Sequence, residues 1–330
     1  VTSRGRAVAA LEGLAIGDAL GMPTQSLSRE RIEADHGAIT GFVAPGPHQR
    51  IAAGMPAGAI TDDTEQALLL ARLLIEGGGR LDPHGFAAAL IDWEARMIER
   101  GSLDLLGPST RAALQRLEED EPPEEAGRFG ATNGAAMRIA PVGIATPVAP
   151  LTLFVDDVVS ASALTHNTGL GIAAAAAVGA AVSAGVDGAS TLEALDVAAA
   201  AAREGATRGH WVAGGDIADR LEWAVRHLLG RDPAQQDDAL AGLVGTSVAA
   251  QESVVAALAL AGICDDPWEA LCRAAALGGD TDTMASIAGA VLGATGADWP
   301  ADATATVSRV NDLRLEPVAD ALLELRRKHG

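Results

Sequence analysis

The chain has 330 residues, 48% of them hydrophobic and 21% charged, and its 24 basic against 44 acidic side chains give a formal net charge of −20. This composition excludes a chain disordered over most of its length, and the negative charge repels phosphate backbones and anionic bilayers, so neither nucleic acid nor a membrane is an expected partner. With aromatics at 3% and no tyrosine, the core must be built from Ala, Leu, Val and Ile, which suit closely spaced helices.

Helical periodicity recurs along almost the whole chain and strand-like alternation is nearly absent. In chain order, helices are predicted over 5–19 and 64–76. Phe86, Leu90, Trp93 and Met97 then form one apolar stripe. Further helices follow at 106–118, 134–145, 153–164, 170–184, 191–203, 217–229, 248–262, 267–277 and 283–294. Val318, Leu322 and Leu325 mark the last one. The expectation is an all-α fold, a compact orthogonal multi-helix bundle of roughly a dozen helices. No linker, composition break or fixed-period repeat divides the chain, so residues 1–330 read as a single domain.

Four stretches qualify this picture. Thr40 to Ile60 holds Gly41, Gly46, Gly54 and Gly58 with Pro45, Pro47 and Pro56, and a loop of that length is a candidate active-site flap. Gly169 to Val186 is apolar enough to resemble a membrane span, but its Ala and Gly content fits a buried core helix better. The acidic run Glu118 to Glu125, with Pro122 and Pro123, reads as a solvated loop. Cys264 and Cys272 have no zinc-type spacing and read as core thiols; with no secretory pattern in Val1 to Arg6, a cytoplasmic location is expected.

Two segments carry the strongest chemistry. Thr61-Asp62-Asp63-Thr64 opens an apolar helix, and Gly278-Gly279-Asp280-Thr281-Asp282-Thr283 repeats the construction near the other end of the chain. Each alone is explained by helix capping. A cap needs one acid, however, and adjacent carboxylates repel, which a divalent cation would relieve. If the two helix starts face each other they offer four carboxylates and two hydroxyls, an oxygen-only set of the kind magnesium or manganese takes. Gly130 to Arg138 is a turn into a helix, either an ordinary Asn-Gly turn or an anion or sugar cradle. Thr165-His166-Asn167 separates two apolar helices, and Gly17-Asp18-Ala19-Leu20-Gly21 through Gln25 closes the first helix.

In this order, the five segments resemble the ADP-ribosylglycohydrolase family, with Asn133-Gly134 and Met137-Arg138, Thr165-His166 and the two D/T-rich starts as the strongest matches. The resemblance runs from about Ala7 to Ala297. It implies an all-α fold with two magnesium or manganese ions held by Thr61, Asp62, Asp63, Asp280, Asp282 and Thr283. It also implies ligand contacts from Thr132, Asn133, Gly134, Ala135, Met137 and His166. Two positions depart from the family pattern. Many members carry glutamate where Gln25 stands, and relatives often continue with Pro and a second His where Asn167 stands. Gln25 and Asn167 are therefore candidate substrate contacts in a region that sets the leaving group. A neutral amide cannot act as a base, so that duty falls to Asp63 or Asp62.

The expected reaction is hydrolysis at the anomeric carbon of an ADP-ribosyl group, with a metal-activated water and carboxylates that favour the positive charge developing on the sugar. The expected partner is an ADP-ribosylated protein or a ribosylated small molecule such as a metabolite or nucleoside. A reading of another class is a non-catalytic, crystallin-like member of the family.

Overall fold

The computed structural model describes residues 1–103 and 105–329. Among these residues the chain forms eighteen α-helices, and its only β pairing is three isolated bridges. In chain order the helices are α1 (Ser3–Gly21), α2 (Arg29–His36), α3 (Asp62–Glu76), α4 (Pro83–Glu99), α5 (Pro108–Glu118), α6 (Pro123–Ala126), α7 (Gly134–Met137), α8 (Ala140–Ala145) and α9 (Leu151–His166). They continue with α10 (Gly169–Val186), α11 (Thr191–Gly205), α12 (Ile217–Leu228), α13 (Pro233–Ala239), α14 (Ala250–Ile263), α15 (Pro267–Ala276), α16 (Thr281–Ala294), α17 (Ala301–Asn311) and α18 (Leu315–His329).

The all-α expectation holds, but the count exceeds a dozen for physical reasons. The predicted helix over 134–145 is two helices, α7 and α8, because Pro141 lacks an N–H and crowds the preceding turn. Helix α2 buries only Ile32, and α17 only Ala303 and Val307, so neither carries an apolar stripe long enough to register as a period. The short α13, passing directly into a π-helical turn at Leu240–Val244, and the single turn α6 inside the acidic run were also unpredicted. Cys272 is buried, whereas Cys264 is only half-buried at the end of α14 and is no core thiol.

Helix α10 is the central element. From Leu170 to Val186 every residue is buried, so its apolar length is used inside the protein. Burial on all sides explains why it shows no amphipathic stripe.

The contact that builds the site is between α1 and α16. Gly13 and Gly17 on α1, spaced by four residues, lie flat against Gly289 and Ala285 of α16: a Cβ at Gly17 would stand 2.0 Å from the Ala285 carbonyl oxygen, and one at Gly13 would stand 2.2 Å from that of Gly289. One turn further, a Cβ at Gly21 would stand 2.4 Å from Asp282 Cα. Small residues at this spacing form a groove that lets two backbones touch, as side chains elsewhere would forbid. The consequence is positional. The last turn of α1, carrying Asp18, is pressed against the first turn of α16, carrying Asp282.

Candidate active site

Asp18 organises one wall of the site from inside. Its carboxylate is fully buried and accepts from the Thr61 and Thr64 N–H groups at 3.0 and 3.1 Å and from their hydroxyls at 2.7 and 2.5 Å. It thereby caps α3 from another helix, satisfying donors at the helix N-terminus. The hydroxyl proton of Thr61 goes to Asp18, which turns its lone pairs away from α1. Burial pushes Asp18 up to about 6, against the lowering effect of these four donors.

Asp63 stands next to it, buried, and accepts from the Thr283 hydroxyl at 3.2 Å across 220 residues of sequence. Its other oxygen, Oδ1, is buried with no hydrogen-bond partner. Burial raises its pKa well above the usual carboxylate range, and the neighbouring Asp282, Asp62, Asp18 and Asp280 raise it further. Asp280 is raised by burial too, although bonds from Asn133 and Thr283 oppose the shift. The two D/T-rich helix starts therefore do face each other. Asp62, Asp63, Asp280, Asp282 and Thr283 line one cleft of about 340 Å³, together with Gln25, Thr132, Asn133, Gly134 and Met137. Thr61 is behind this surface and lines an adjoining cleft that shares Asp62 and Ile51.

Among the described residues no three carboxylate, imidazole or thiol groups stand around one coordination point. Asp280 is turned onto the Asn133 amide, and Asp62 accepts from Gln66 at 2.8 Å. The donor chemistry nevertheless fits a hard divalent cation: the set is all oxygen, the acids repel one another, and the buried Asp63 Oδ1 has no other partner.

The remaining expected contacts divide. Gln25 is 5% exposed, faces the cleft, and its Nε2 has no partner. Asn133 also lines the cleft, but its amide donates to Ser253 Oγ at 2.9 Å and to Asp280. Ala135 is buried away from the cleft wall. His166 is fully buried, with Nε2 at 2.9 Å from Thr132 Oγ1 and Nδ1 at 2.7 Å from Thr165 Oγ1. Its ring lies behind the cleft-lining Thr132 and Gly134: a Cβ on Gly134 would stand 3.0 Å from His166 Cε1. Asn167 donates to the Glu124 carbonyl at 2.6 Å and does not line the cleft.

Residues 40–60, the candidate flap, are pinned by side-chain hydrogen bonds, and Ile51 among them lines the cleft. The Gln49 amide donates to the Gln25 carbonyl at 2.9 Å and accepts from Ile51 N–H at 2.9 Å, while Asn311 donates to the Gly58 carbonyl at 2.8 Å. Gln49 and Asn311 were missed in the sequence, and the buried Arg138 stood there only as part of the Met137-Arg138 match, with no role assigned. A clue was present for Arg138, a lone charge between the apolar runs Ala135–Met137 and Ile139–Ile144.

Residues 1–330 match the family described as ADP-ribosylglycohydrolase. The chain belongs to that family. It is 34% identical over 328 residues to the protein YegU of Escherichia coli (strain K12), covering 98% of each chain. A solved structure titled "ADP-ribosylglycohydrolase-related protein complex" superposes with a TM-score of 0.70 at 27% identity over 98% of both chains. A shorter match, 30% identical over 178 residues and covering 53% of this chain and 55% of the relative, is to the ADP-ribosyl-[dinitrogen reductase] glycohydrolase of Rhodospirillum rubrum. The family match thus spans all the helices described above.

Proposed function

We propose that this ADP-ribosylglycohydrolase family member hydrolyses the bond between the anomeric carbon of an ADP-ribosyl group and its acceptor. Asp62, Asp63, Asp280 and Asp282, with Thr61 and Thr283, would hold two magnesium or manganese ions. The observation that carries the reading is the meeting of Asp63 with Thr283, which joins the two acidic helix starts in one cleft. When bound, the cations would grip ribose hydroxyls and lower the pKa of a water molecule.

The protein's own groups do the rest. Asp63 would take the proton of the attacking water, and Asp62 is the second choice. The clustered carboxylates favour the positive charge that develops on the ribose in the transition state. Gln25 offers an N–H from the flap side of the cleft and cannot act as the base.

The experiment is release of ADP-ribose from ADP-ribosyl-arginine and ADP-ribosyl-serine peptides, and of ribose from a nucleoside panel, with magnesium or with EDTA. Turnover of at least one substrate, lost in EDTA and in Asp63→Asn, supports the reading. Turnover indifferent to EDTA or to Asp63→Asn defeats it, and so does failure to cleave any substrate together with no magnesium-dependent rise in Tm. That second outcome would favour a non-catalytic protein.

A further inference from the structure

Behind the cleft, six polar side chains form one continuous hydrogen-bonded chain from Asp62 to Thr132. At its centre is Arg138, 0% exposed, with its guanidinium 5.1 Å above the Phe86 ring. We propose that Arg138 is a positioning residue: it fixes the donor–acceptor sense of the whole chain, so that the Thr132 hydroxyl enters the cleft as a hydrogen-bond donor to an acceptor oxygen of the ligand.

A guanidinium can only donate. In one direction, Arg138 Nη1 donates to Gln66 Oε1 at 3.1 Å, which settles the orientation of that amide. Gln66 Nε2 therefore points at Asp62 and donates to Oδ2 at 2.8 Å. In the other direction, Arg138 Nη2 donates to Thr165 Oγ1 at 2.5 Å. Having accepted there, Thr165 gives its one hydroxyl hydrogen to its other neighbour, His166 Nδ1, at 2.7 Å. Nδ1 is then the acceptor nitrogen, and a neutral ring must carry its hydrogen on Nε2. Burial, and secondarily the Arg138 charge, hold His166 well below its ordinary pKa, so the ring is neutral. Nε2 donates to Thr132 Oγ1 at 2.9 Å, and the Thr132 hydrogen is left for the cleft that Thr132 lines.

Reversing the sense has a specific result. With hydrogen on Nδ1, the imidazole donates to Thr165, Nε2 becomes an acceptor, and Thr132 turns its hydrogen inward and presents only lone pairs to the ligand. A buried arginine that merely filled space would leave both tautomers open. The same guanidinium also orients Asp62 through Gln66, so it ties Asp62 and Thr132, which line the same cleft, into one network.

The inference rests on the proposed function only in using ADP-ribose as the probe. The primary test is long-range ¹H–¹⁵N NMR of histidine-labelled protein, which reports the tautomer of His166 directly and needs no activity. Hydrogen on Nε2 in the wild type is expected, with loss of that single tautomer in Thr165→Val; hydrogen on Nδ1 in the wild type, or an unchanged Nε2 tautomer in Thr165→Val, overturns the proposal. The second test is ADP-ribose affinity by calorimetry, with urea unfolding run in parallel to establish that each variant is folded. Thr165→Val is expected to weaken binding about tenfold, the worth of roughly one hydrogen bond, and Thr165→Ser to restore it to within about twofold. Wild-type affinity in folded Thr165→Val overturns the ligand-donor role. A wild-type protein with the Nε2 tautomer but no affinity for ADP-ribose would overturn that ligand role and the functional reading while leaving the assigned sense of the chain intact.

Discussion

Replacing Gly17 by alanine tests the packing that assembles the site. The new Cβ would stand 2.0 Å from the Ala285 carbonyl oxygen and 2.3 Å from its carbon, so α1 and α16 must part by more than about 1 Å to reach ordinary contact. The obstacle is backbone, which cannot rotate away as a side chain can. Overpacking of this kind costs about 3 kcal/mol, at the upper end of its usual range, while exchanging glycine for alanine inside a helix returns about 1 kcal/mol. The net expectation is a loss of about 2 kcal/mol in urea unfolding. Gly242, in the π-helical turn, has open space where a Cβ would go, so Gly242→Ala is the matched control and should be neutral or slightly stabilising. The parting also separates Asp18 from the first turn of α16, so magnesium affinity should fall with stability in Gly17→Ala alone. Equal stability of the two variants would refute the close-packing argument.

Two further outcomes follow from named groups. Burial holds Asp18 at about 6 and Asp63 higher than the usual carboxylate range, so the folded protein keeps these protons at a pH where the unfolded chain has lost them. Their contribution is complete below the unfolded carboxylate value and is lost as pH rises through the folded one; in EDTA, Tm should therefore fall from pH 4.5 to about 7, and magnesium should reverse the fall while releasing protons measurable by calorimetry in two buffers. A flat Tm in EDTA across that range would contradict the burial argument. Gln49→Ala removes the clamp between flap and Gln25 turn, worth about 1 kcal/mol per bond, and should raise KM several-fold with kcat changed less; an unchanged KM would show that the clamp does not hold the cleft in shape.

The legible part of the fold was the part with long apolar periods. Helices α3, α4, α10, α14 and α16 carry runs that only a packed helix explains, whereas α2 and α17 bury so little that their sequences resemble loops. The break between α7 and α8 was available in Pro141 and was overridden by the apolar content around it. For the site, Thr61 to Asp63 and Asp280 to Thr283 were recognisable because paired acids at a helix start exceed what capping needs. What sequence could not supply was partnership. Asp18 looked like the end of a helix, yet its role comes from Thr61 and Thr64 in another element. His166 looked like a lone histidine between two helices, yet both its ring nitrogens are engaged, by Thr132 and Thr165. The contacts with Thr61, Thr64 and Thr132 depend on distances across 34 or more residues of chain, set by packing that no local pattern encodes.

The central claim is that the two acidic helix starts share divalent cations. It is tested most directly by anomalous diffraction from crystals soaked in manganese. The account predicts manganese peaks in the cleft within coordinating distance of Asp63 Oδ1 and of carboxylates from both helix starts, abolished in Asp63→Asn crystals. Fully diffracting, manganese-soaked crystals with no peak there, or with metal bound to one helix start alone, would contradict it.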